Sequence, residues 1–275
     1  MIVLVTGCST GFGLLIAQRF LAAGDTVIAS MRAPSRAAVE LGGAHVVALD
    51  VVSDASVSSA VKQVLHDHGR IDVLVNNAGV GMHGAIEDTS DSQAKDLFET
   101  NFFGALRVTR AVLPAMRSEG SGVIVNISSL AAVVSPPFGG MYAATKYALE
   151  AVSEAMHFEL APFGVRVHLV EPGGFGTAFG DNRRDVSGTV YTDLIGRWET
   201  AYAKLPGRDS GPSDPGRVAD AVYEVANDAS APLRRLVGDD AELIGALRKQ
   251  LDDTELERTV RAQLDFWDGA RSPVI

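Results

Sequence analysis

The chain has 275 residues, 47% of them hydrophobic, which is enough for one large, well-packed domain. A net charge of −10 excludes a surface built to wrap a nucleic-acid backbone, and a single cysteine, Cys8, excludes an intramolecular disulfide. No stretch approaches the ~20 apolar residues of a membrane span, and Met1–Val5 is too short for a signal sequence, so the expectation is a cytoplasmic protein in a reducing compartment.

Residues 2–5 form a short apolar, β-branched run that reads as a buried strand. Gly7-Cys8-Ser9-Thr10-Gly11-Phe12-Gly13 follows, and helical spacing then runs through Leu21. Strand, glycine loop and helix is the layout of a phosphate-cradling turn: glycines let the backbone come close, and a helix start offers free N–H groups. The alternative is a plain strand-to-helix turn that holds glycines. Cys8 reads as a small packing residue rather than a nucleophile.

Thr26–Ser30 is a second strand, ending in Met31-Arg32. Dinucleotide-binding folds that use NAD(H) place an acid here for the ribose hydroxyls. An arginine instead pairs with a 2′-phosphate, so Arg32 favours NADP(H) over NAD(H), with Arg36 as a possible assistant; a solvated loop arginine is the alternative. Val46–Leu49 is a third strand. Asp50, after it, either accepts from an adenine amino group or caps a turn. Ser53–His68 is an amphipathic helix with Val57, Val61, Val64 and Leu65 on one side. Ile71–Val75 is a fourth strand, cut off by Asn76-Asn77-Ala78-Gly79. Strands alternating with helices imply parallel strands, right-handed crossovers and helices on both faces.

A helix over Ser92–Ser118 is expected to break near Asn101 and to kink at Pro114. Val123–Ile127 is a fifth strand, ending at Ser128-Ser129. A loop with Pro136-Pro137 leads into a helix from Tyr142 to about Ala161, and Val165–Val170 is a sixth strand closed by Glu171-Pro172-Gly173. On the Tyr142 helix, Tyr142-Ala143-Ala144-Thr145-Lys146 sets a phenol and an ammonium one turn apart on one face. A cation that close is expected to lower the phenol's pKa and make it a proton donor and acceptor. Residues 174–215 read as irregular and Gly-rich, dotted with Phe175, Phe179, Tyr191, Leu194, Trp198 and Tyr202. That segment is either a lid over a substrate or a peripheral helical hairpin. A helix over Pro215–Ala229, a final strand over Leu233–Val237 and helices over Ala241–Gln250 and Thr254–Phe266 complete one domain, 1–275. No repeat or linker divides it. The histidines at 45, 66, 68, 83, 157 and 168 do not cluster at metal-ligand spacings, so no metal is expected; His66 and His68 read as solvated, and His83 as a candidate for the substrate side.

Taken together, these features resemble the short-chain dehydrogenase/reductase family. The likeness rests on Thr6-Gly7-x-x-x-Gly11-x-Gly13, on Asn76-Asn77-Ala78-Gly79, on Ser129 thirteen residues before Tyr142-x-x-x-Lys146, and on Pro172-Gly173 with Thr177. It is strong over residues 1–175 and weak beyond. It implies an α/β, Rossmann-type, doubly wound parallel sheet of seven strands. It also implies a catalytic set of Asn101, Ser129, Tyr142 and Lys146: Tyr142 donating or accepting the proton, Lys146 holding the nicotinamide ribose, Ser129 the substrate oxygen and Asn101 a relay water. Strand alternation favours Ser129 over Ser128 for that role.

The resemblance implies a cofactor site of Gly7, Ser9, Thr10, Gly11, Phe12, Gly13, Arg32, Asp50, Val51, Asn77, Ala78, Gly79, Tyr142, Lys146, Pro172, Gly173, Phe175 and Thr177. On the substrate side it points to Ser129, Tyr142, His83 and Phe179. The wording Val-x-Thr-Gly-Cys-Ser-Thr-Gly and Glu-Pro-Gly-Gly-Phe is similar to the 17β-hydroxysteroid and retinol dehydrogenase-like branch, which implies an apolar carbonyl or secondary alcohol substrate. The alternatives are a 3-oxoacyl thioester reductase, with Arg183-Arg184 as a carrier patch, and an NADP(H)-binding sensor without turnover, whose members usually lose the tyrosine or lysine. Family members form homodimers or homotetramers through the Tyr142 helix and the long helix before it.

Overall fold

The computed structural model describes residues 1–34, 41–177, 179–180, 182–186, 188, 190–204 and 213–263. Arg36 and parts of the 174–215 segment lie outside them. The strands β1 (Ile2–Thr6), β2 (Thr26–Met31), β3 (His45–Ala48), β4 (Val73–Asn76), β6 (Gly122–Ile127), β7 (Val165–Pro172) and β9 (Arg234–Val237) form one parallel sheet in the order β3-β2-β1-β4-β6-β7-β9. The seven expected strands are therefore present, with ends displaced by one or two residues. The order reverses between β1 and β4, where open α/β sheets bind ligands beyond the strands' carboxyl ends.

Alternation along the strands divides the core. Val3, Val5, Val73 and Val75 face one side, under Ile16 and Phe20 of α1 (Gly11–Ala22) and Val218 and Val222 of α7 (Gly216–Asn227). Leu4, Leu74 and Ile124 face the other, against Val57, Val61 and Val64 of α2 (Asp54–His68) and Val108 and Val112 of α4 (Gly104–Glu119). A strand buried on both faces reads as a continuous apolar run, which is why β1 was visible in the sequence. The α2 bounds follow from its caps: the Ser53 side chain accepts from Ser56 N, and Gly69 takes φ 79° at the C-cap.

The break expected near Asn101 is a π-helical turn, Glu99–Phe103, between α3 (Asp91–Phe98) and α4. The helix does not end at Pro114, which sits inside α4. The segment expected to be irregular contains a helix, α6 (Thr192–Tyr202), and a two-residue strand, β8 (Arg184–Asp185), which pairs with β5 (Met82–His83). Three of the apolar residues read as scattered have helical spacing: Leu194, Trp198 and Tyr202 pack together with Phe138. Helices α8 (Asp239–Gln250) and α9 (Asp253–Gln263) close the described chain.

Candidate active site

The glycine turn owes its shape to close contacts. Gly7 takes φ 74° and Gly11 φ 61°, where a side chain would be strained. A Cβ on Gly13 would overlap the Gly7 carbonyl and the Asn77 amide. Asn77 Nδ2 donates to Thr6 O at 2.8 Å and Gly7 O at 3.1 Å, and Thr6 Oγ1 accepts from the N–H groups of Asn77 and Ala78, each at 3.0 Å. The motif after β4 is thus the clamp that holds the turn after β1, and Thr6, which the sequence shows only as the first residue of the glycine motif, is its pivot.

At the start of α1, Thr10 makes no side-chain cap and the first turn carries no acidic residue. Among the described residues nothing caps its N–H groups and dipole, as an anion site requires. Ser9 and Thr10 are exposed beside them. Phe12 leans edge-on against Phe175 at 5.5 Å, and Thr177 stands across from Gly11. Cys8 is fully buried, its thiol donating to Val5 O and pushed up to about 12 by burial, which makes it a packing residue.

Around the adenine-side wall, Arg32 is exposed directly after β2 and has no ion-pair partner among the described residues. Asp50 Oδ1 accepts from Val52 N, the turn-cap alternative, and Val51 is buried against Gly104. Gly173 N donates to Val237 O, while buried Asp240 accepts from Gly174 N at 2.8 Å and so fixes the turn after Pro172. Asp240 sits almost 70 residues from that turn, and no spacing rule pointed to it.

The reacting groups come from three elements. At the end of β6, Ser128 is buried, with its N–H on Val170 O, and the hydroxyl of half-buried Ser129 accepts from Ala131 N. Ser129 acts on the phenol of Tyr142, which stands on α5 (Gly140–Leu160), and lowers its pKa. Lys146, one turn on, donates from Nζ to Ile127 O at 2.8 Å and lies 5.7 Å from the Tyr142 ring centroid. Asn101, in the π turn, is 1% exposed; its amide accepts from Val80 N, donates to Val80 O and reaches Thr145 Oγ1 at 3.2 Å. The π turn therefore anchors the loop after Gly79 to α5, and π turns are frequent at functional sites.

One expectation is corrected. Lys146 was expected to lower the Tyr142 pKa, but burial pushes the phenol up to about 12, with only Ser129 pulling it down. Lys146 points at a carbonyl beneath the ring rather than at the hydroxyl, and Phe179 covers Tyr142 at 5.7 Å between ring centroids. Burial likewise brings Lys146 down to about 8, with Glu150 opposing.

His83 sits 6.1 Å from the Phe138 ring, and its Nδ1 is 3.9 Å from Glu199 Oε1; burial, then Arg183, lowers its pKa. Arg183 pairs with Asp185 and Glu199, and Arg184 lies 3.8 Å from Asp96, so the suspected basic patch is locally compensated. Phe138, which sequence reasoning did not single out, holds a strained φ of 59° and accepts from Gly84 N. A separate hollow of about 710 Å³ opens at the sheet's amino-terminal edge, away from these groups, with Arg70 and Arg166 committed to Asp72 and to the end of α7. The described residues contain no cluster of three or more His, Cys, Asp or Glu able to hold a metal. None of the described helices is long and apolar enough to cross a membrane.

Comparison with known proteins is consistent across sequence and structure. A family model described as short chain dehydrogenase matches residues 1–187. A 3-ketodihydrosphingosine reductase of Bacteroides thetaiotaomicron is 35% identical over 94% of this chain and 96% of its own. Retinol dehydrogenase 8 of Bos taurus is 37% identical over 85% and 80%. Among solved structures, a short-chain dehydrogenase from Streptomyces avermitilis superposes with TM-score 0.81 at 38% identity, covering 95% of this chain and 98% of that one. A 3-ketoacyl-(acyl-carrier-protein) reductase from Brucella melitensis, complexed with NADH, gives 0.74 at 27% identity, over 86% and 96%.

Proposed function

The chain belongs to the short-chain dehydrogenase family of oxidoreductases, and from that premise we propose that it transfers a hydride between NADP(H) and the carbonyl or secondary alcohol carbon of an apolar substrate. The observation that carries the reading is the convergence of Ser129, Tyr142 and Lys146, the last one turn along from the tyrosine, at the carboxyl ends of strands that also present the clamped glycine turn. The residues fit a dinucleotide: the uncapped start of α1 suits a pyrophosphate, Gly7 and Gly13 let the turn fold tightly against Asn77 and Ala78, and Gly11 leaves its side of the turn open. When bound, the nicotinamide supplies or accepts the hydride.

The chain's own residues handle the rest. Ser129 donates to the substrate oxygen and stabilises charge developing there. Tyr142, a phenol protonated at neutral pH, donates its proton to that oxygen during reduction. Lys146, seated on Ile127 O one turn along, bonds the nicotinamide ribose. Asn101 holds the π turn and a relay water beside it. Arg32 pairs with the 2′-phosphate, with Asp50, Val51, Asn77, Ala78 and Gly79 along the adenosine and ribose and Pro172, Gly173, Phe175 and Thr177 near the nicotinamide. His83 and Phe179 line the substrate side, and the 174–215 segment serves as its lid. Water is excluded by Phe179, which must swing away for a substrate to reach Tyr142.

The NADH-bound reductase of Brucella melitensis favours a second reading, a 3-oxoacyl thioester reductase. The compensated charges of Arg183 and Arg184 favour the first. Exposed Phe103, Tyr147, Phe158 and Phe163 on and beside α4 and α5 support assembly as a homodimer or homotetramer of a cytoplasmic protein. The test is absorbance at the reduced-nicotinamide band with NADPH and NADH against steroid, retinoid, acyl-thioester and small ketones. Turnover of an apolar ketone with NADPH is expected. Preference for acyl thioesters would select the second reading, and NADPH binding without any turnover would indicate a sensor.

A further inference from the structure

Lys146 has a buried companion one turn further along α5. Glu150 is 6% exposed, and spacing of four residues puts it on the Lys146 face. Its Oε2 accepts from Arg234 Nε at 2.8 Å, while Arg234 Nη2 donates to Glu154 at 2.6 Å, which ties α5 to β9. Its Oε1 is buried and has no hydrogen-bond partner among the described residues. A carboxylate oxygen left so is costly. A tether between helix and strand does not require it, because exposed Glu154 already reaches Arg234. Glu171, at the end of β7, is the other buried acid here; burial, then Glu150, pushes its carboxyl up to about 7. Glu150 is also the group whose field opposes the loss of the Lys146 proton.

We propose that Glu150 is a positioning residue that keeps the buried Lys146 ammonium charged and seated on Ile127 O, making Tyr142, Lys146 and Glu150 three successive turns of one proton-handling face. The proposal rests on the reading of Lys146 as the residue that holds the nicotinamide ribose. The charged and titratable groups around this face are Tyr142, Glu150 and Glu154 on α5, Glu171 on β7, Arg234 on β9 and Lys249 on α8, with Tyr202 on α6 acting on Tyr142.

The test is an NMR titration of the lysine side chains in the full chain, with Lys146→Met used to assign the Lys146 signal. Glu150→Gln keeps the shape and removes the charge. It is expected to lower the Lys146 midpoint by about one unit, and the pH at which NADPH affinity falls, read by its fluorescence, is expected to drop with it. Glu150→Asp keeps the charge and is expected to recover most of the wild-type midpoint. An unmoved midpoint in folded Glu150→Gln overturns the proposal, including when that variant melts earlier or binds NADPH less well equally at every pH, since a purely structural role gives that result. If Glu150→Gln does not fold, Arg234→Gln decides: stripping the cation from Glu150 is expected to raise the Lys146 midpoint, and an unchanged or lowered one overturns the proposal. The reading of Lys146 fails separately, if Lys146→Met retains wild-type turnover and NADPH affinity, whatever the titration gives.

Discussion

Replacing Lys146 by methionine is predicted to stabilise the folded protein at neutral pH. Burial takes the ammonium from its ordinary value of 10.5 to about 8. That is about 2.5 units at about 1.4 kcal/mol each, so a charged Lys146 costs the fold about 3 kcal/mol at pH 7. Methionine removes that cost but orphans the Ile127 carbonyl, worth about 1 kcal/mol. The net expectation is a gain of about 2 kcal/mol. The pH dependence gives the sharper signature. Between pH 8 and 10.5 the unfolded chain keeps the Lys146 proton and the folded chain has lost it, so wild-type stability rises with pH. From pH 7 to 9.5 this one group adds about 2 kcal/mol. Cys8 and Tyr142, both raised to about 12, act in the opposite direction above their unfolded values of 9.0 and 10.0, but both are present in wild type and variant and cancel in the difference. Urea unfolding of the two proteins at pH 7 and 9.5 is the assay. The variant's advantage should shrink over that interval. A variant less stable at pH 7, or an advantage that does not change with pH, would refute the reasoning that the site pays stability for a buried cation.

Arg32→Asp should weaken NADPH binding at least tenfold relative to NADH, from loss of a charge-assisted bond worth about 1.5–3 kcal/mol; equal weakening of both contradicts the 2′-phosphate assignment. Phe179→Ala should uncover Tyr142 and lower its phenol from about 12 towards 10.0, read by ultraviolet difference titration, and an unchanged midpoint would mean that Phe179 is not what desolvates it. Gly13→Ala forces a Cβ into the Gly7 carbonyl and Asn77 amide, so it should cost about 1–3 kcal/mol of stability and much of the cofactor affinity; wild-type NADPH binding would contradict the clamp.

The strand pattern was legible because residues 2–6 and 73–76 are buried on both faces and leave uninterrupted apolar runs. The preference for Ser129 over Ser128 rests on its spacing to Tyr142 and on strand alternation, and β6 ends at Ile127, before either serine. The break at Asn101 was visible, though its π geometry, bonded to Val80 and Thr145, was not. What escaped depends on residues distant in sequence. The sign of the Tyr142 shift follows from desolvation of the phenol, with Phe179 against the ring and the Lys146 ammonium donating to Ile127 O, none of which a Tyr-x-x-x-Lys spacing encodes. α6 escaped because Gly-rich flanks masked the four-residue spacing of Leu194, Trp198 and Tyr202. Asp240 and Arg234 act on the site from across the sheet, beyond any local motif.

The central claim is that Tyr142 delivers the proton of a nicotinamide-dependent reduction. Tyr142→Phe, which keeps the ring and its contact with Phe179 and removes only the hydroxyl, tests it most directly when NADPH affinity and NADPH-dependent turnover of a ketone accepted by the wild type are measured side by side. The account predicts unchanged NADPH affinity and turnover reduced by about 10²–10⁴-fold; turnover within a few-fold of wild type would contradict it.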